Sequence, residues 1–242
     1  MKLTVIGNSG PYPKANGACS GYLIEDGDTK VLLDCGNGVL SILQDICDVR
    51  KLDAIILSHL HSDHISDILV LKYALGINKK EGYLPISLYT PQDDMDMVER
   101  FNYNDAFNII PIDDNKSIKI DNLNISFQKM IHPVDTYAIK IDNDISTFVY
   151  SGDTSYNEEL IEFAKLADMF LCESSILERD MKEDIPHLSP KEAGEIGKKA
   201  SVKRLILTHF WPEYNLQDII DEARYNFDGI LEISEVRKTY GI

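Results

Sequence analysis

The sequence has no apolar run approaching the roughly 18 residues that a membrane span requires, which argues against a membrane protein. Its 4 cysteines, Cys19, Cys35, Cys47 and Cys172, are scattered and form no C-x-x-C pair. That pattern argues against a disulfide framework and leads us to expect the reducing cytoplasm. Basic residues are scarce: 24 Lys and Arg stand against 40 Asp and Glu, a formal charge of −16. A surface of that sign repels phosphate backbones, so extended nucleic-acid binding is disfavoured, while a local basic pocket stays compatible. No Pro/Gly/Ser-rich linker and no low-complexity tract interrupts the 242 residues, which read as one globular domain, 1–242. Met1–Gly7 reads as a short strand rather than a charged leader, so no signal peptide is expected.

What is present is an alternation of short Ile/Val/Leu runs with amphipathic stretches. The pattern predicts strands over Leu3–Gly7, Gly21–Glu25, Lys30–Asp34, Ala54–Ser58, Ile86–Tyr89, Ser117–Ile120, Ile125–Met130, Tyr137–Ile141, Thr147–Ser151, Met169–Cys172 and Arg204–Thr208. It predicts helices near Gly38–Asp48, His64–Leu75, Gln92–Tyr103, Asn157–Lys165, Pro190–Ala200 and Leu216–Tyr225. The mixture points to a layered α/β protein, sheets covered by helices. Several strands end in a metal-ligand type of residue: Val31-Leu-Leu-Asp34, Ile55-Ile-Leu-Ser-His59, Phe148-Val-Tyr-Ser-Gly-Asp153, Phe170-Leu-Cys-Glu173 and Leu205-Ile-Leu-Thr-His209. In open α/β sheets ligands bind outside the carboxyl ends of strands, so these ends could converge on one site.

The densest of them is His59-Leu-His61-Ser-Asp63-His64, which holds three of the chain's 6 histidines. Imidazole with carboxylate suits zinc, iron or manganese, whereas calcium and magnesium favour all-oxygen shells. In an extended segment, side chains at i and i+2 share a face, so His59 and His61 can grip one ion. Asp63 and His64, at the turn into a helix, can aim elsewhere, and the spacing fits two ions better than one.

Four further positions join this set. His132 follows a strand and precedes Pro133; such a pair alone is often only a capped turn, but beside a suspected two-ion site it reads as a ligand. Asp153 follows Gly152, which allows a sharp turn, and a carboxylate can bridge two cations where an imidazole cannot. His209 ends its strand as a ligand. His187 precedes Ser189-Pro190-Lys-Glu192, a capping box with proline at the first helical position. It would stand beside a helix N-terminus, where anions are favoured, and could contact or protonate a phosphate. Asp34 and Glu173 read as carboxylates that orient ligand histidines through the free ring N–H. Tyr12, Asn16, Trp211 and Tyr214 flank these loops.

In this order the residues resemble the metallo-β-lactamase superfamily, on His59-x-His61-x-Asp63-His64, then His132, Asp153 and His209, with Asp34 in Leu-Leu-Asp-Cys-Gly36 as its early aspartate. The resemblance implies a four-layer αββα sandwich with metals at one edge between two sheets. It implies one ion on His59, His61 and His132, the other on Asp63, His64 and His209, and Asp153 bridging both. Within the superfamily the stretch from His187-Leu-Ser to Lys203-Arg-Leu-Ile-Leu-Thr-His209-Phe is similar to ribonuclease Z and its small phosphodiesterase relatives, in which a histidine at the place of His187 contacts the scissile phosphate. Common bacterial ribonucleases Z insert a tRNA-binding arm between the positions of His132 and Asp153. Residues 133–152 leave room only for a strand pair. The family's members are commonly dimers, which leaves a homodimer open.

The expected activity is therefore a metal-dependent hydrolase acting on a small or cyclic phosphodiester, with two divalent ions, zinc first and manganese or iron as substitutes. His187 and Asp63 are the expected catalytic groups, His187 as phosphate contact or proton donor and Asp63 as a proton acceptor that also ligates. Three alternatives stand beside it: a tRNA 3′-processing endonuclease, a lactone or thioester hydrolase on the same scaffold, and a non-catalytic metal or redox module.

Overall fold

Alternation along the strands sets the architecture. In the third strand, Val31 and Leu33 enter one apolar cluster and Leu32, between them, enters another. Successive side chains of a strand point to opposite faces, so a strand buried on both faces needs a cover on each. The structure, a computed structural model, describes residues 1–77, 79 and 84–242 and meets this demand with four layers.

The first sheet contains β1 (Lys2–Gly7), β2 (Gly21–Asp26), β3 (Thr29–Leu33), β4 (Ala54–Ile56), β5 (Ile86–Thr90) and β6 (Phe107–Pro111), in that spatial order. β1, β2 and β3 pair antiparallel; β3 to β6 pair parallel. The second sheet runs through β7 (Ser117–Ile120), β8 (Leu123–Lys129), β9 (Tyr137–Asp142), β10 (Thr147–Tyr150), β11 (Met169–Glu173), β12 (Arg204–Thr208) and β13 (Ile230–Ile233). It repeats the plan, antiparallel to β10 and parallel from there to β13. The last strand, β14 (Thr239–Gly241), returns to pair antiparallel with β1.

The helices are α1 (Val39–Leu43), α2 (Ser62–Ile65), α3 (Ile68–Gly76), α4 (Met95–Phe101), α5 (Glu158–Phe163), α6 (Pro190–Lys199) and α7 (Leu216–Arg224). Val39, Leu71 and Phe101 pack the first helical layer on the outer face of the first sheet. Leu160, Ile196 and Ile219 do the same for the second. Between the sheets lies a third cluster fed by both, with Tyr22, Ile24 and Ile56 from one and Ile139, Tyr150 and Ile206 from the other. Each fully buried aliphatic side chain of this kind is worth about 1.5–3 kcal/mol. The four-layer αββα sandwich is as expected. No helix among the described residues is long and apolar enough to cross a membrane.

The differences from the sequence reading have local causes. The helix expected over His64–Leu75 is broken between α2 and α3. There the Asp67 carboxylate accepts the Leu40 N–H at 2.8 Å, and Asp67 N–H donates to Cys35 O at 3.0 Å. The break leaves His64 on its own short turn, facing inward. The helix expected over Gly38–Asp48 stops at Leu43, and Asp48 instead caps a 3-10 turn at Val49–Lys51. α4 begins at Met95 because Asp94 is its N-cap, accepting from Met97 N–H at 2.9 Å. Strands β6, β13 and β14 have no counterpart in the sequence reading.

Candidate metal centre

The carboxyl ends of β3, β4, β8, β10, β11 and β12 deliver Asp34, His59, His132, Asp153, Glu173 and His209 to one edge of the sandwich. Three of the turns use left-handed backbone: φ is 54° at Asp34, 60° at Gly152 and 58° at His209. Glycine adopts this freely, while Asp and His are among the few other residues that tolerate it. The left-handed residue at Gly152 makes the sharp turn expected ahead of Asp153.

The donor atoms converge in two groups. His59 Nε2 and His132 Nε2 each lie 3.1 Å from His61 Nδ1. On the other side, His209 Nε2 lies 3.2 Å from His64 Nε2 and 3.1 Å from Asp63 Oδ2. Asp153 Oδ2 stands between them, 3.7 Å from His59 Nε2, 3.4 Å from His64 Nε2 and 3.4 Å from His209 Nε2. The groupings His59, His61 and His132, then Asp63, His64 and His209, have the donor spacing of ion sites, as does His59, His64 and Asp153.

The outer hydrogen bonds decide which ring nitrogens are free. His64 Nδ1–H donates to Asp34 Oδ2 at 2.7 Å, and His132 Nδ1–H donates to Pro186 O at 3.0 Å. Ser58 Oγ gives its proton to Asp34 Oδ2 and therefore accepts from His59 Nδ1–H at 3.0 Å. Ser175 Oγ gives its proton to Glu173 Oε2 at 2.6 Å and accepts from His209 Nδ1–H at 2.7 Å. Each of these four histidines thus turns Nε2 inward, the nitrogen left for a metal once any proton on it is displaced. His61 differs, presenting Nδ1. Asp153 Oδ1 is buried with no hydrogen-bond partner. Buried lone pairs facing one another at about 3 Å, and an orphaned carboxylate oxygen, are costly without a cation among them. The donor set therefore fits divalent ions.

Electrostatics point the same way. Burial holds the His59, His61 and His132 rings below their ordinary range, and so in the ligating neutral form. Burial opposes ionisation of Asp153, but His209, His64 and His59 outweigh it and hold its carboxyl well below the usual range. For His64 burial is likewise outweighed: Asp153, Asp63 and Asp34 draw a proton onto the ring, a proton with which an ion would compete.

Asp34, the partner of His64 Nδ1–H, also accepts from Ser58 N–H at 2.7 Å and from the Tyr150 hydroxyl at 2.9 Å. Glu173 departs from the sequence reading. It reaches the ligand-type His209 only through Ser175, and the histidine it meets directly is His187, whose Nδ1 lies 3.1 Å from Oε1 and 3.2 Å from Oε2; Thr154 N–H also donates to Oε1, at 2.7 Å. The His187 ring stacks on His209 with centroids 5.5 Å apart, and its Nδ1 is 3.9 Å from Asp153 Oδ2. Burial lowers the His187 pKa, but Glu173 and Asp153 overcome it and push it up to about 9. The helix end behind His187 is a second correction. Ser189 is fully buried, its N–H donates to Glu192 Oε2 at 2.8 Å, and Glu192 N–H returns to Ser189 Oγ. Those two amides are spent on the capping box and Pro190 has none, so the expected anion site at that terminus rests mainly on His187.

A pocket of about 400 Å³ opens over the cluster, lined by His61, Asp63, Asp153, His187 and His209 together with Pro11, Ile176 and Trp211. Of the four flanking residues, Trp211 enters this pocket, Tyr12 packs edge-on against it, and Asn16 and Tyr214 line a neighbouring recess. Ser58, Tyr150, Ser175 and the Pro186 carbonyl escaped the sequence reading. Only Ser175, two residues beyond Glu173 at a strand end, left a usable signal.

A family description, Beta-lactamase superfamily domain, matches residues 29–210. The chain is 37% identical to the probable metallo-hydrolase YhfI of Bacillus subtilis over 97% of each chain. It superposes on the crystal structure of that metallo-beta-lactamase fold protein with a TM-score of 0.94, covering 99% of both chains at 34% identity. It is 24% identical to ribonuclease Z of Archaeoglobus fulgidus, over 96% of this chain and 94% of the other. A diphosphatase of the PhnP family shares the fold, with a TM-score of 0.79 at 15% identity, covering all of this chain and 97% of the other. The chain belongs to the metallo-β-lactamase superfamily, in its ribonuclease Z-like branch.

Proposed function

We propose that the chain is a two-metal hydrolase that cleaves a small phosphodiester, with zinc in both positions and manganese or iron as substitutes. His59, His61 and His132 would hold one ion, Asp63, His64 and His209 the other, and Asp153 would contact both. Bound there, two such ions would supply a hydrolytic water of lowered pKa and polarise a phosphoryl oxygen. Asp63, which also lines the pocket, would take up the proton of the attacking water.

The observation that carries the reading is His187. Its Nδ1–H is engaged by Glu173, which leaves Nε2–H for the pocket, and the buried carboxylate favours the charged ring. A phosphodiester is anionic before it reacts and gains charge as it does, so a fixed imidazolium beside the ligand cluster suits it. An ester, lactone or thioester is neutral in the ground state and gives such a group less to do. At the end of the reaction the same N–H can pass its proton to the leaving oxygen.

The test is turnover of bis(p-nitrophenyl) phosphate with added zinc or manganese, beside a panel of lactones and thioesters. We expect His61→Ala to lose bound metal and activity together. His187→Ala should keep its metal while kcat falls about 100- to 10,000-fold, the usual worth of a proton donor. Phosphodiesterase activity untouched by His61→Ala would remove the two-metal reading; metal loss on His187→Ala would recast His187 as a ligand.

The similarity to ribonuclease Z favours a second reading, tRNA 3′-end processing. Against it, residues 133–152 hold β9, β10 and their turns, and the alignment to the Archaeoglobus enzyme spans 292 residues against 242 in this whole chain. Cleavage of a precursor tRNA with steep salt dependence would support the second reading.

A further inference from the structure

Two buried carboxylates stand behind the donor cluster, one from each sheet, and they are used alike. Asp34 takes the His64 Nδ1–H directly and reaches His59 through Ser58. Glu173 meets His187 Nδ1 directly and reaches His209 through Ser175. Each carboxylate thus serves two histidines, one by contact and one across a serine hydroxyl. Behind Asp34 both histidines have the donor spacing of ion ligands. Behind Glu173 the pair is mixed: His209 shares such a spacing with Asp63 and His64, and His187 is the group given above to the phosphate.

The sheet sets Ser175 in its place. β11 and β12 are parallel neighbours with Glu173 opposite Thr208, and one residue further Ser174 N–H donates to Thr208 O at 3.0 Å. Ser175 and His209 therefore leave their strands side by side. Ser174 and Ser175 are both buried but spend their hydroxyls differently. Ser174 Oγ donates to Thr208 O at 3.2 Å, within the sheet. Ser175 Oγ lies 2.6 Å from Glu173 Oε2 and 2.7 Å from His209 Nδ1, and it lines the pocket. A hydroxyl has one proton to give, and a carboxylate only accepts. The chain therefore runs one way, from His209 Nδ1–H to Ser175 to Glu173. Thr154 N–H, at 2.7 Å from Glu173 Oε1, fixes its far end.

We propose that Ser175 is a positioning residue that couples the ion site of His209 to His187, so that loading the ion and setting His187 are one event. An ion on His209 Nε2 withdraws electron density from the ring and makes Nδ1–H a stronger donor. Hydrogen bonds in a chain polarise one another, so the pull passes through the Ser175 hydroxyl to the carboxylate that orients His187. In the other direction the anchored chain holds the His209 ring with Nε2 toward the ion. This rests on the two-ion part of the functional reading and is independent of which ester is cleaved.

Two measurements test this: zinc affinity by competition with a chromophoric chelator, and the low-field ring N–H resonances of isotope-labelled histidine, with and without zinc. Ser175→Ala should bind zinc about 10- to 100-fold more weakly, the usual loss for a group behind a metal ligand. It should lose the Nδ1–H resonance of His209 and move that of His187. Those of His64 and His132, held by Asp34 and by Pro186 O, should stay in place. Ser175→Thr keeps the hydroxyl and should restore most of both signals and affinity. Ser174→Ala removes a hydroxyl one residue away and should leave both as in the unaltered protein. Equal losses in Ser174→Ala and Ser175→Ala would reduce the effect to local packing and overturn the proposal. So would a His187 resonance that stays put in Ser175→Ala. Unaltered protein that takes up no zinc, with the His209 and His187 resonances still tied to Ser175, would remove the two-ion reading and leave the hydrogen-bonded chain standing. Two bound zinc ions whose affinity ignores Ser175 would do the reverse.

Discussion

Asp34 receives four hydrogen bonds, from Ser58 N–H, Ser58 Oγ, His64 Nδ1–H and the Tyr150 hydroxyl, and it is wholly buried. Replacing it by Asn keeps the volume, removes the charge and puts an NH2 group where an acceptor is needed, so His64 loses the partner that fixes its tautomer. We expect Asp34→Asn to weaken metal binding about 10- to 100-fold, as for other groups behind metal ligands, measured by competition with a chromophoric chelator. His187 gives a pH prediction. Its pKa is raised from 6.5 to about 9, so the charged form and its favourable pairing with Glu173 are complete below about 6.5 and disappear as pH rises through about 9. Bound ions would oppose that proton, so activity should show an alkaline limb below about pH 9 that is missing from the residual activity of His187→Ala. A limb that survives in that variant would assign it to another group. Of these residues, His59 to His64 could be read from the sequence because they are adjacent, and His132, Asp153 and His209 because each ends an apolar run. Tyr150 and Pro186 could not, because a strand tyrosine and a loop carbonyl gain their roles only when the fold sets them against Asp34 and His132.

The same contrast holds for whole elements. Strands buried on both faces, such as β3 and β12, announce themselves by continuous Ile/Val/Leu. The three strands that the sequence reading lacks, β6, β13 and β14, are all at sheet edges. Their side chains alternate between buried and exposed or are mostly half-exposed, and β6 ends in a proline that only an edge tolerates. Turns between strand and ligand are more exacting than the strands. A Cβ at Gly152 would lie 2.9 Å from Tyr137 O and 3.3 Å from Thr136 Cγ2, on a residue whose φ is 60°. Gly152→Ala should therefore cost about 1–3 kcal/mol in denaturant unfolding and displace Asp153, seen as lowered metal content. Ser189→Ala offers the comparison at a helix start. Loss of the cap should cost about 1 kcal/mol while leaving the donor set of the metal centre intact. If both variants lost stability without a difference in metal content, the turn at Gly152 would be no more than a fold element.

At the scale of the molecule, the donors come from opposite halves. His59, His61, Asp63 and His64 follow β4 of the first sheet; His132, Asp153 and His209 follow β8, β10 and β12 of the second. Each proposed ion site draws on both, so bound ions would act as staples across the sandwich as well as reagents. Without ions the edge holds facing imidazole lone pairs, the Asp63 and Asp153 carboxylates and an unpartnered Asp153 Oδ1, with only the cluster's own hydrogen bonds to offset them. Ligands that bind only the folded state stabilise it by about 2.7 kcal/mol at a concentration 100 times the dissociation constant. That figure holds for each site, and for a chain of this size each kcal/mol moves the melting temperature by about 2–4 °C, so stripping both ions should lower Tm by about 10–20 °C. His61→Ala, with one site compromised, should start lower and respond less to the chelator. Calorimetry on the loaded and stripped protein, with metal content measured on the same samples, decides the matter. An unchanged Tm in a sample shown to have lost its ions would mean that the inter-sheet core, with Tyr22 and Tyr150 at its centre, holds the edge together by itself.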